Sequence, residues 1–261
     1  MSDFTLYQQT LIMPPGLEGK YKTSDMELPG NYISRHPFDH GNFNGRDEAL
    51  LDWPRTEFAI KDLLRVYYSV IDDMDAQIGR IVAALEETGQ LKNTIIIFSS
   101  DNGMAVGSHG LRGKQNQYEH TTNVPLIISG PGIEEGVLTS AQVYLRELYP
   151  TTCDLIGIDI PEGLDGRSFA PVLRGEAVTH HNIIFNYYEN SQRMVRTDEG
   201  WKLIRYPDID KWQLFNLNND PYELSNLVKS NTPEIQEKFN ELQKYLVEWR
   251  FHQGDPLLVE E

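Results

Sequence analysis

Hydrophobic residues recur along this chain first with the spacing of a helix and then with that of strands. From residue 57 to residue 88 they return every three or four positions, which predicts one amphipathic helix that ends near Gly89. Two short apolar runs follow, Thr94 to Ser99 and Val124 to Ser129, and both are typical of strands buried on both faces. The predicted stripe of the helix consists of Tyr67, Ile71, Met74, Ile78, Ile81 and Leu85.

A second helix is predicted at about residues 140–156, so helices and strands alternate through the middle of the chain. This alternation indicates an α/β fold with a partial, mainly parallel sheet and flanking helices. The pattern changes near residue 180, where short strand candidates predict a small antiparallel sheet, followed by a last helix at about residues 233–250. The four strand candidates are residues 183–187, 193–196, 202–206 and 213–216.

The same pattern divides the chain into three regions. Residues 1–56 are rich in Pro, Gly, Asn, Asp and His and show little periodicity, so we interpret them as a loop-rich lead segment. Residues 57–178 form the α/β part of the predicted fold. Residues 179–261 form a C-terminal α+β subdomain.

Composition limits the classes of partner. The formal net charge of −16 disfavours nucleic acid and anionic membranes. No apolar run approaches the roughly 18 residues of a membrane-spanning helix, so no membrane span is expected. The first residues lack the basic and then apolar pattern of a secretory signal, and the compartment stays unknown. Cys153 is the single cysteine, which excludes an intrachain disulfide.

Polar residues directly follow the first apolar run. Asp101 and Asn102 stand where ligands bind in α/β sheets, beyond the carboxyl end of a strand. A carboxylate beside an amide oxygen suits a hard cation such as Ca²⁺ or Mg²⁺. The other interpretation is an Asx turn, which the local sequence alone favours because Asp-Asn-Gly is ordinary turn chemistry.

The next loop places cationic and imidazole side chains among glycines. Lys114 supplies a point charge, Arg112 lies two positions before it, and His109 offers a proton donor. Because glycines let the backbone approach an anion closely, the loop predicts a site for a cation and an anion together. The glycines are Gly107, Gly110 and Gly113, and further candidates for contact with an anionic substrate are Arg35, His36, His40 and Arg46.

Several motifs occur in a fixed order between Tyr67 and Gly132. They are YYSVIDDMDAQIGRIVAAL, SSDNG, GSHGLRGK, YEH and VPLIISGPG. In this order and spacing they resemble the sulfatase family of the alkaline-phosphatase-like superfamily. Further on, LYPTTCDLIGIDIPEGLDGRSFAPVLRG resembles the family's next helix and loop, and MVRTDEGWKLIRY and LFNLNNDPYELSNL resemble its C-terminal subdomain.

The resemblance implies calcium-dependent hydrolysis of a sulfuric ester. By position, Asp101 and Asn102 would be calcium ligands, with Mg²⁺ as the alternative ion. Lys114 and His109 would be catalytic and substrate-binding residues, and Arg112 would bind substrate. The substrate would be a sulfate ester, and the style of GSHGLRGK suggests a sulfated sugar. Family members are often periplasmic, secreted or lysosomal.

The chain also departs from the family pattern. The family's nucleophile is a formylglycine made from Cys or Ser in a Cys/Ser-x-Pro-x-Arg motif, which this sequence does not contain. Cys153 lies outside any such motif, and we expect a small buried hydrophobic residue there. The family's N-terminal pair of metal-binding aspartates is absent too. We therefore expect a C-terminal fragment, inactive alone, that self-associates or takes a companion N-terminal chain to cover its apolar faces.

Three alternatives stay open at this point. The chain could be a phosphodiesterase or phosphonate hydrolase of the same superfamily, because sulfuryl and phosphoryl groups share a tetrahedral shape. It could be a non-catalytic remnant that binds sulfated ligands. It could also come from a shortened gene whose upstream DNA encodes the missing motif. Paired assays with sulfate and phosphate esters discriminate the first alternative.

Overall fold

A computed structural model describes residues 12–256 of the chain. The backbone divides into two compact units. Among the described residues, unit 1 comprises 12–92 and 102–124, and unit 2 comprises 93–101 and 125–256. Helices and antiparallel strands together make a mixed α/β protein. The predicted regions 1–56, 57–178 and 179–261 stay predictions.

Unit 1 is built around one long helix, α1 (Glu57–Glu87), close to the predicted range. Thr56 caps it, because its hydroxyl oxygen accepts a hydrogen bond from the Ala59 amide at 3.2 Å. A four-residue helix, α2 (Glu119–Thr122), lies in the same unit. The buried residues of α1 are Ile60, Leu64 and Ser69, all in its N-terminal half. Ile60 and Leu64 form a core with Met26, Leu51 and Val106.

The rest of α1 presents apolar residues to solvent. Of the predicted stripe, Ile71, Met74 and Ile81 are exposed, Ile81 to 63%. We expected this helix to lack partners for its apolar face, and within residues 12–256 these three stripe residues are exposed. Exposed apolar residues at helical spacing favour association.

We expect the purified chain to self-associate through this face of α1. Replacing the exposed residues by glutamine removes apolar surface and keeps good helix formers, so the fold should persist. The weight-average sedimentation coefficient should rise with protein concentration in the unmodified chain and stay constant in the triple variant Ile71→Gln, Met74→Gln, Ile81→Gln. A monodisperse monomer at all concentrations of the unmodified chain would contradict this expectation.

Unit 2 contains two sheets. In the first, β1 (Ile96–Ser99) pairs with β2 (Leu126–Ser129) in antiparallel register, with Ile96 opposite Ser129. The mainly parallel sheet predicted from the sequence is therefore not seen between these strands. Parallel neighbours need a crossover, usually helical, and the segment between β1 and β2 forms only the short α2. Both strands were expected to be buried on both faces, yet Ile127 of β2 is exposed.

The second sheet confirms the small antiparallel sheet predicted near the C-terminus. Its four strands follow chain order and pair antiparallel throughout. The central position of β5 explains why all six of its residues are buried. The strands are β3 (Ile183–Tyr188), β4 (Gln192–Thr197), β5 (Trp201–Tyr206) and β6 (Lys211–Asn216).

The predicted last helix is confirmed as α5 (Pro233–His252), which packs on this sheet. Its apolar side joins a core formed by Val195, Trp201, Leu203, Leu214, Leu242 and Leu246. The helix predicted at residues 140–156 begins later, as α3 (Leu148–Ile156), because Gln142 is held extended in a β-bridge to His181. A further short helix is α4 (Ala170–Leu173), and the 3-10 turns are Thr23–Asp25, Glu48–Leu50, Leu91–Asn93, Leu145–Glu147, Pro207–Ile209 and Leu227–Lys229.

Between residues 12 and 256, none of the helices combines the length and the apolar character that crossing a membrane requires.

Candidate functional site

The glycine-rich loop of unit 1 folds back on itself. The Ala105 amide donates to the Gly113 carbonyl at 3.0 Å, and the Gly107 amide donates to the Leu111 carbonyl at 2.8 Å. Gly110 has a φ of +71°, and a Cβ there would lie 2.6 Å from the His36 backbone nitrogen. The glycine is therefore required for packing of the loop against residues 33–36, a reason that the sequence did not reveal.

A buried carboxylate holds this loop. Glu48 accepts hydrogen bonds from the amides of Arg112 at 3.0 Å and Gly113 at 2.7 Å. It also forms an ion pair with the Arg55 guanidinium at 2.5 Å, and both side chains are almost fully buried. Three donors thus converge on one carboxylate, which compensates the cost of its burial.

Arg55 ties the same loop to the preceding segment. Its guanidinium donates to the Gly110 carbonyl at 3.1 Å and to the Glu48 carbonyl at 3.0 Å. The group lies 3.3 Å from the centre of the Trp53 ring. Burial lowers the pKa of Arg55 to about 10, so the group stays charged at neutral pH. Sequence reasoning missed both Glu48 and Arg55, because lone charged residues in a loop-rich segment carry no periodic signal.

The two cations predicted for the loop differ in their surroundings. Arg112 is buried, and its guanidinium donates to the Asp47 carbonyl at 3.1 Å. Burial lowers the pKa of Arg112. Lys114 is only half-buried, and its ammonium group has no ion-pair partner between residues 12 and 256. Arg112 therefore has a bracing contact that Lys114 lacks, and the predicted substrate contacts of both stay predictions.

His109 lies at the tip of the loop in a left-handed conformation, with a φ of +52°. Its ring stacks on Tyr118 with the ring centres 3.9 Å apart. Its amide donates to the Asn31 carbonyl at 2.9 Å, and its carbonyl accepts a hydrogen bond from His36 Nδ1 at 2.8 Å. The predicted catalytic histidine is thus held rigidly by its backbone and its ring, although its role stays a prediction.

A cavity of about 430 Å³ lies in unit 1, and His36 is among its lining residues. The Arg35 guanidinium lies 5.5 Å from the Phe43 ring centre, and Phe43 stacks on Trp53 at 4.6 Å. Among the upstream candidates, Arg35 and His36 line the cavity, whereas Arg46 points to solvent and pairs with Asp47. The lining residues are Arg35, His36, Pro37, Phe38, Asp39 and Phe43.

Buried His40 makes the stability of unit 1 depend on pH. Burial and the nearby His36 lower its pKa from 6.5 to about 3, Asp39 raises it in part, and Arg55 lowers it further. The unfolded chain binds a proton at His40 below about pH 6.5, while the folded chain does not until about pH 3. We therefore expect a loss of about 2 kcal/mol in the free energy of unfolding between about pH 7.5 and pH 5.

Urea unfolding at the two pH values measures this loss, and the variant His40→Gln is the control. The variant lacks the titrating group. Its loss in the free energy of unfolding over the same pH range should therefore be about 2 kcal/mol smaller than that of the unmodified chain. Equal pH dependence in both proteins would mean that His40 is not kept neutral by the fold.

The predicted calcium ligands follow β1 at the boundary between the units. Asp101 belongs to unit 2 and Asn102 to unit 1, and both side chains are exposed. Gly103 is tightly packed, since a Cβ there would lie 2.0 Å from the His120 carbonyl oxygen. Carboxylate and amide oxygens fit the hard donor set of calcium, and they supply two of the six to eight oxygens that the ion takes. Their role as ligands stays a prediction.

Comparison with known proteins identifies the family. The model of the family described as sulfatase matches residues 13–158. The model described as N-sulphoglucosamine sulphohydrolase, C-terminal, matches residues 107–252. The chain is 32% identical over 227 residues to arylsulfatase K of Xenopus laevis, covering 82% of this chain and 41% of the relative. It is 30% identical over 265 residues to N-acetylglucosamine-6-O-sulfatase of Bacteroides thetaiotaomicron, covering 96% of this chain and 45% of the relative.

A solved structure agrees with these matches. BT4656 in complex with its substrate D-glucosamine-2-N,6-O-disulfate is 31% identical and superposes with a TM-score of 0.69, covering 77% of this chain and 42% of that one. The chain thus spans less than half the length of the relatives that it matches. Because each family model matches more than half of the chain and the sequence motifs agree in order, this chain belongs to the sulfatase family.

Proposed function

We propose that the protein is a calcium-dependent sulfatase, a sulfuric ester hydrolase, that acts on a sulfated sugar. The observation that carries the proposal is the state of Lys114, a half-buried ammonium group in the motif GSHGLRGK with no ion-pair partner in the described range 12–256. A cation held without a partner beside a rigid loop is ready to bind an anion.

The loop around Lys114 supports this role. The neighbouring charges Asp47, Glu48 and Arg112 are buried and bonded to one another's segments. They fix the backbone at residues 112 and 113 and leave Lys114 as the cation that can reach a ligand. A preorganised positive group stabilises negative charge on sulfate oxygens without the cost of reorganisation.

Calcium and formylglycine are the groups that sulfatases generally use. When bound, calcium would polarise the sulfate oxygens and formylglycine would supply the nucleophile. In this chain, Asp101 and Asn102 would hold the ion. His109, in the same loop as Lys114, would donate a proton to the substrate. Cys153 is buried in α3, which supports a packing role for it and not the role of nucleophile.

The cavity lined by Arg35 and His36 favours a sugar as the part of the substrate that carries the sulfate group. Arg35 and the aromatic side chains of Phe38 and Phe43 line this cavity, so it combines apolar surface for a sugar ring with a cation for an acidic substituent. One relative is an N-acetylglucosamine-6-O-sulfatase, and BT4656 is in complex with its substrate D-glucosamine-2-N,6-O-disulfate. Both favour a sulfated sugar over a phosphoryl substrate.

In the complete sulfatase fold, of which this chain would be a part, we expect a mainly parallel sheet. This chain spans 41% and 45% of two curated relatives. Residues beyond the matched part, on the same or a companion chain, would cover the exposed face of α1. That cover would also explain why α1 carries apolar residues at Ile71, Met74 and Ile81, which are exposed in the described structure.

Replacing Lys114 by alanine should weaken binding of glucosamine 6-sulfate by about 10- to 100-fold, the worth of one hydrogen bond to a charged group. Isothermal titration calorimetry in the presence of calcium measures the dissociation constant. Lys92→Ala removes the same charge from an exposed position of unit 1 and should leave the affinity unchanged. Release of inorganic sulfate is expected to be negligible, because the chain carries no Cys/Ser-x-Pro-x-Arg motif.

Three results would overturn parts of this proposal. Unchanged affinity in Lys114→Ala would remove Lys114 from the site. Equal affinity for glucosamine 6-phosphate would reopen the phosphodiesterase and phosphonate hydrolase alternatives. Sulfate release by the unmodified chain, lost in Lys114→Ala, would show that the chain is active alone and that its nucleophile differs from that of the family.

A further inference from the structure

A second cluster of metal-binding side chains lies in unit 2 and involves none of the residues of the candidate sulfatase site. The carboxylate of Glu147 and the imidazoles of His180 and His181 bring their ligand atoms within 4.8 Å of one another. Glu147 Oε1 lies 2.8 Å from His181 Nε2 and 3.2 Å from His180 Nε2. We propose that these three side chains form a binding site for a divalent transition-metal ion of the zinc class.

The imidazole of His180 is buried, and one of its ring nitrogens makes no hydrogen bond within the described residues. The side chain of His180 is 7% exposed, and its Nε2 has no geometrically acceptable hydrogen-bond partner within the described part of the chain. It nevertheless points to within 3.2 Å of a carboxylate oxygen. A buried polar atom without a partner is costly, and a bound ion shared with Glu147 would satisfy it.

The spacing suits zinc. Ligand atoms about 2.0–2.2 Å from a tetrahedral ion lie about 3.3 Å from one another, so a small outward movement of the two imidazoles makes room for it. Two imidazoles and a carboxylate are a common zinc donor set, with a water in the fourth position. His181 is 21% exposed, which leaves a route to solvent for the ion and that water.

The backbone holds the three ligands in place. The Gln142 amide nitrogen Nε2 donates to the His181 carbonyl at 3.1 Å, and the Arg167 guanidinium donates to the His180 carbonyl. The second oxygen of Glu147, Oε2, accepts from the Tyr144 amide at 2.8 Å. Glu147 is thereby oriented with Oε1 toward both imidazoles. Hydrogen bonds of this kind orient the ligands in metal sites.

The ring contacts restrict rotation of the imidazoles. His180 lies edge-on to Phe169 and His181 edge-on to Tyr144, with ring centres 6.0 Å and 5.2 Å apart. Binding would replace the hydrogen bond from His181 Nε2 to Glu147 by two bonds to the ion, and the displaced proton moves to Nδ1 or to solvent. Nitrogen ligands distinguish this site from the oxygen site proposed at Asp101 and Asn102, and they select against calcium.

Titration of the calcium-free chain with cobalt(II) and then zinc tests the site. We expect visible d–d absorption of a four- or five-coordinate cobalt complex at one ion per chain, displacement by zinc, and no displacement by excess calcium. The variants His180→Gln and His181→Gln should each weaken zinc binding by more than about 10-fold, the loss typical when a ligand or its support is removed. His252→Gln removes an exposed histidine of α5 and should bind as the unmodified chain does.

Thermal unfolding provides a second measurement, in which zinc binding is detected as stabilisation of the fold. Zinc should raise the midpoint of the unmodified chain and of His252→Gln, and should leave His180→Gln unchanged. Zinc binding of less than one ion per chain, or binding that survives in both His180→Gln and His181→Gln, would overturn the proposal. If a variant fails to fold, X-ray absorption of the zinc-loaded unmodified chain still decides, since any donor set other than two imidazoles and oxygen contradicts it.

Discussion

Glu48→Ala lowers the free energy of unfolding by about 3–5 kcal/mol, the cost of leaving a buried charge without its partner. The variant removes the carboxylate that pairs with the buried Arg55 guanidinium and leaves it only backbone carbonyls as acceptors. It also removes the acceptor for the amides of Arg112 and Gly113. Urea unfolding measures the loss, and amide hydrogen exchange at residues 105–113 should show that this loop opens first.

Two variants separate the causes of this effect. Arg46→Ala removes a solvent-exposed ion pair with Asp47 and should leave the free energy of unfolding nearly unchanged. The double variant Glu48→Leu, Arg55→Met removes both buried charges, so it should recover part of the loss, while the two orphaned amides keep the rest. A cost for Glu48→Ala no larger than that of Arg46→Ala would show that Glu48 does not hold the loop.

Lys202→Ala should destabilise unit 2 by a similar amount, about 3–5 kcal/mol. Lys202 lies on the central strand β5, and its ammonium group pairs with Glu223 at 2.8 Å. Both side chains are almost fully excluded from water, so the variant removes the ammonium group that pairs with a buried carboxylate. The thermal midpoint and the urea midpoint of the four-stranded sheet should both fall.

The matched control is Lys238→Ala on α5. Lys238 pairs with Glu199 and Glu241 near the surface, and those pairs raise its pKa. Solvent screens such pairs, so the variant should cost less than about 1 kcal/mol. The double variant Lys202→Met, Glu223→Leu should be more stable than Lys202→Ala, because it replaces both members of this buried pair by apolar side chains. If Lys202→Ala and Lys238→Ala cost the same, the pair on β5 contributes little.

These two effects show what periodicity cannot encode. Glu48 and Arg112 are 64 positions apart, and neither belongs to a repeating apolar pattern. A lone charge in a sequence looks alike whether it faces water or a buried partner. Only the folded chain reveals which charges are desolvated, and desolvation decides whether an ion pair is worth several kcal/mol or almost nothing.

The stripe of α1 illustrates the same limit for apolar residues. Spacing predicted the helix within one residue at its C-terminal end, because helix formation depends on local contacts along the chain. Spacing did not predict that Ile71 and Ile81 would be exposed in this structure, because burial depends on what else packs against the helix. A stripe indicates a face that needs a partner and does not identify the partner.

The sequence by itself determined the family, through motifs in fixed order, and the local elements: α1, α5 and the strands of the C-terminal sheet. These follow from side-chain spacing and turn residues, which act over a few positions. Tertiary structure alone decided the antiparallel pairing of β1 with β2, the buried charges that hold the glycine loop, and the meeting of Glu147 with His180 and His181. The strand pairing and the Glu147 cluster join residues about 30 positions apart, and Glu48 lies 64 positions before the Arg112 amide that it binds. Such contacts arise only when the chain folds into three dimensions.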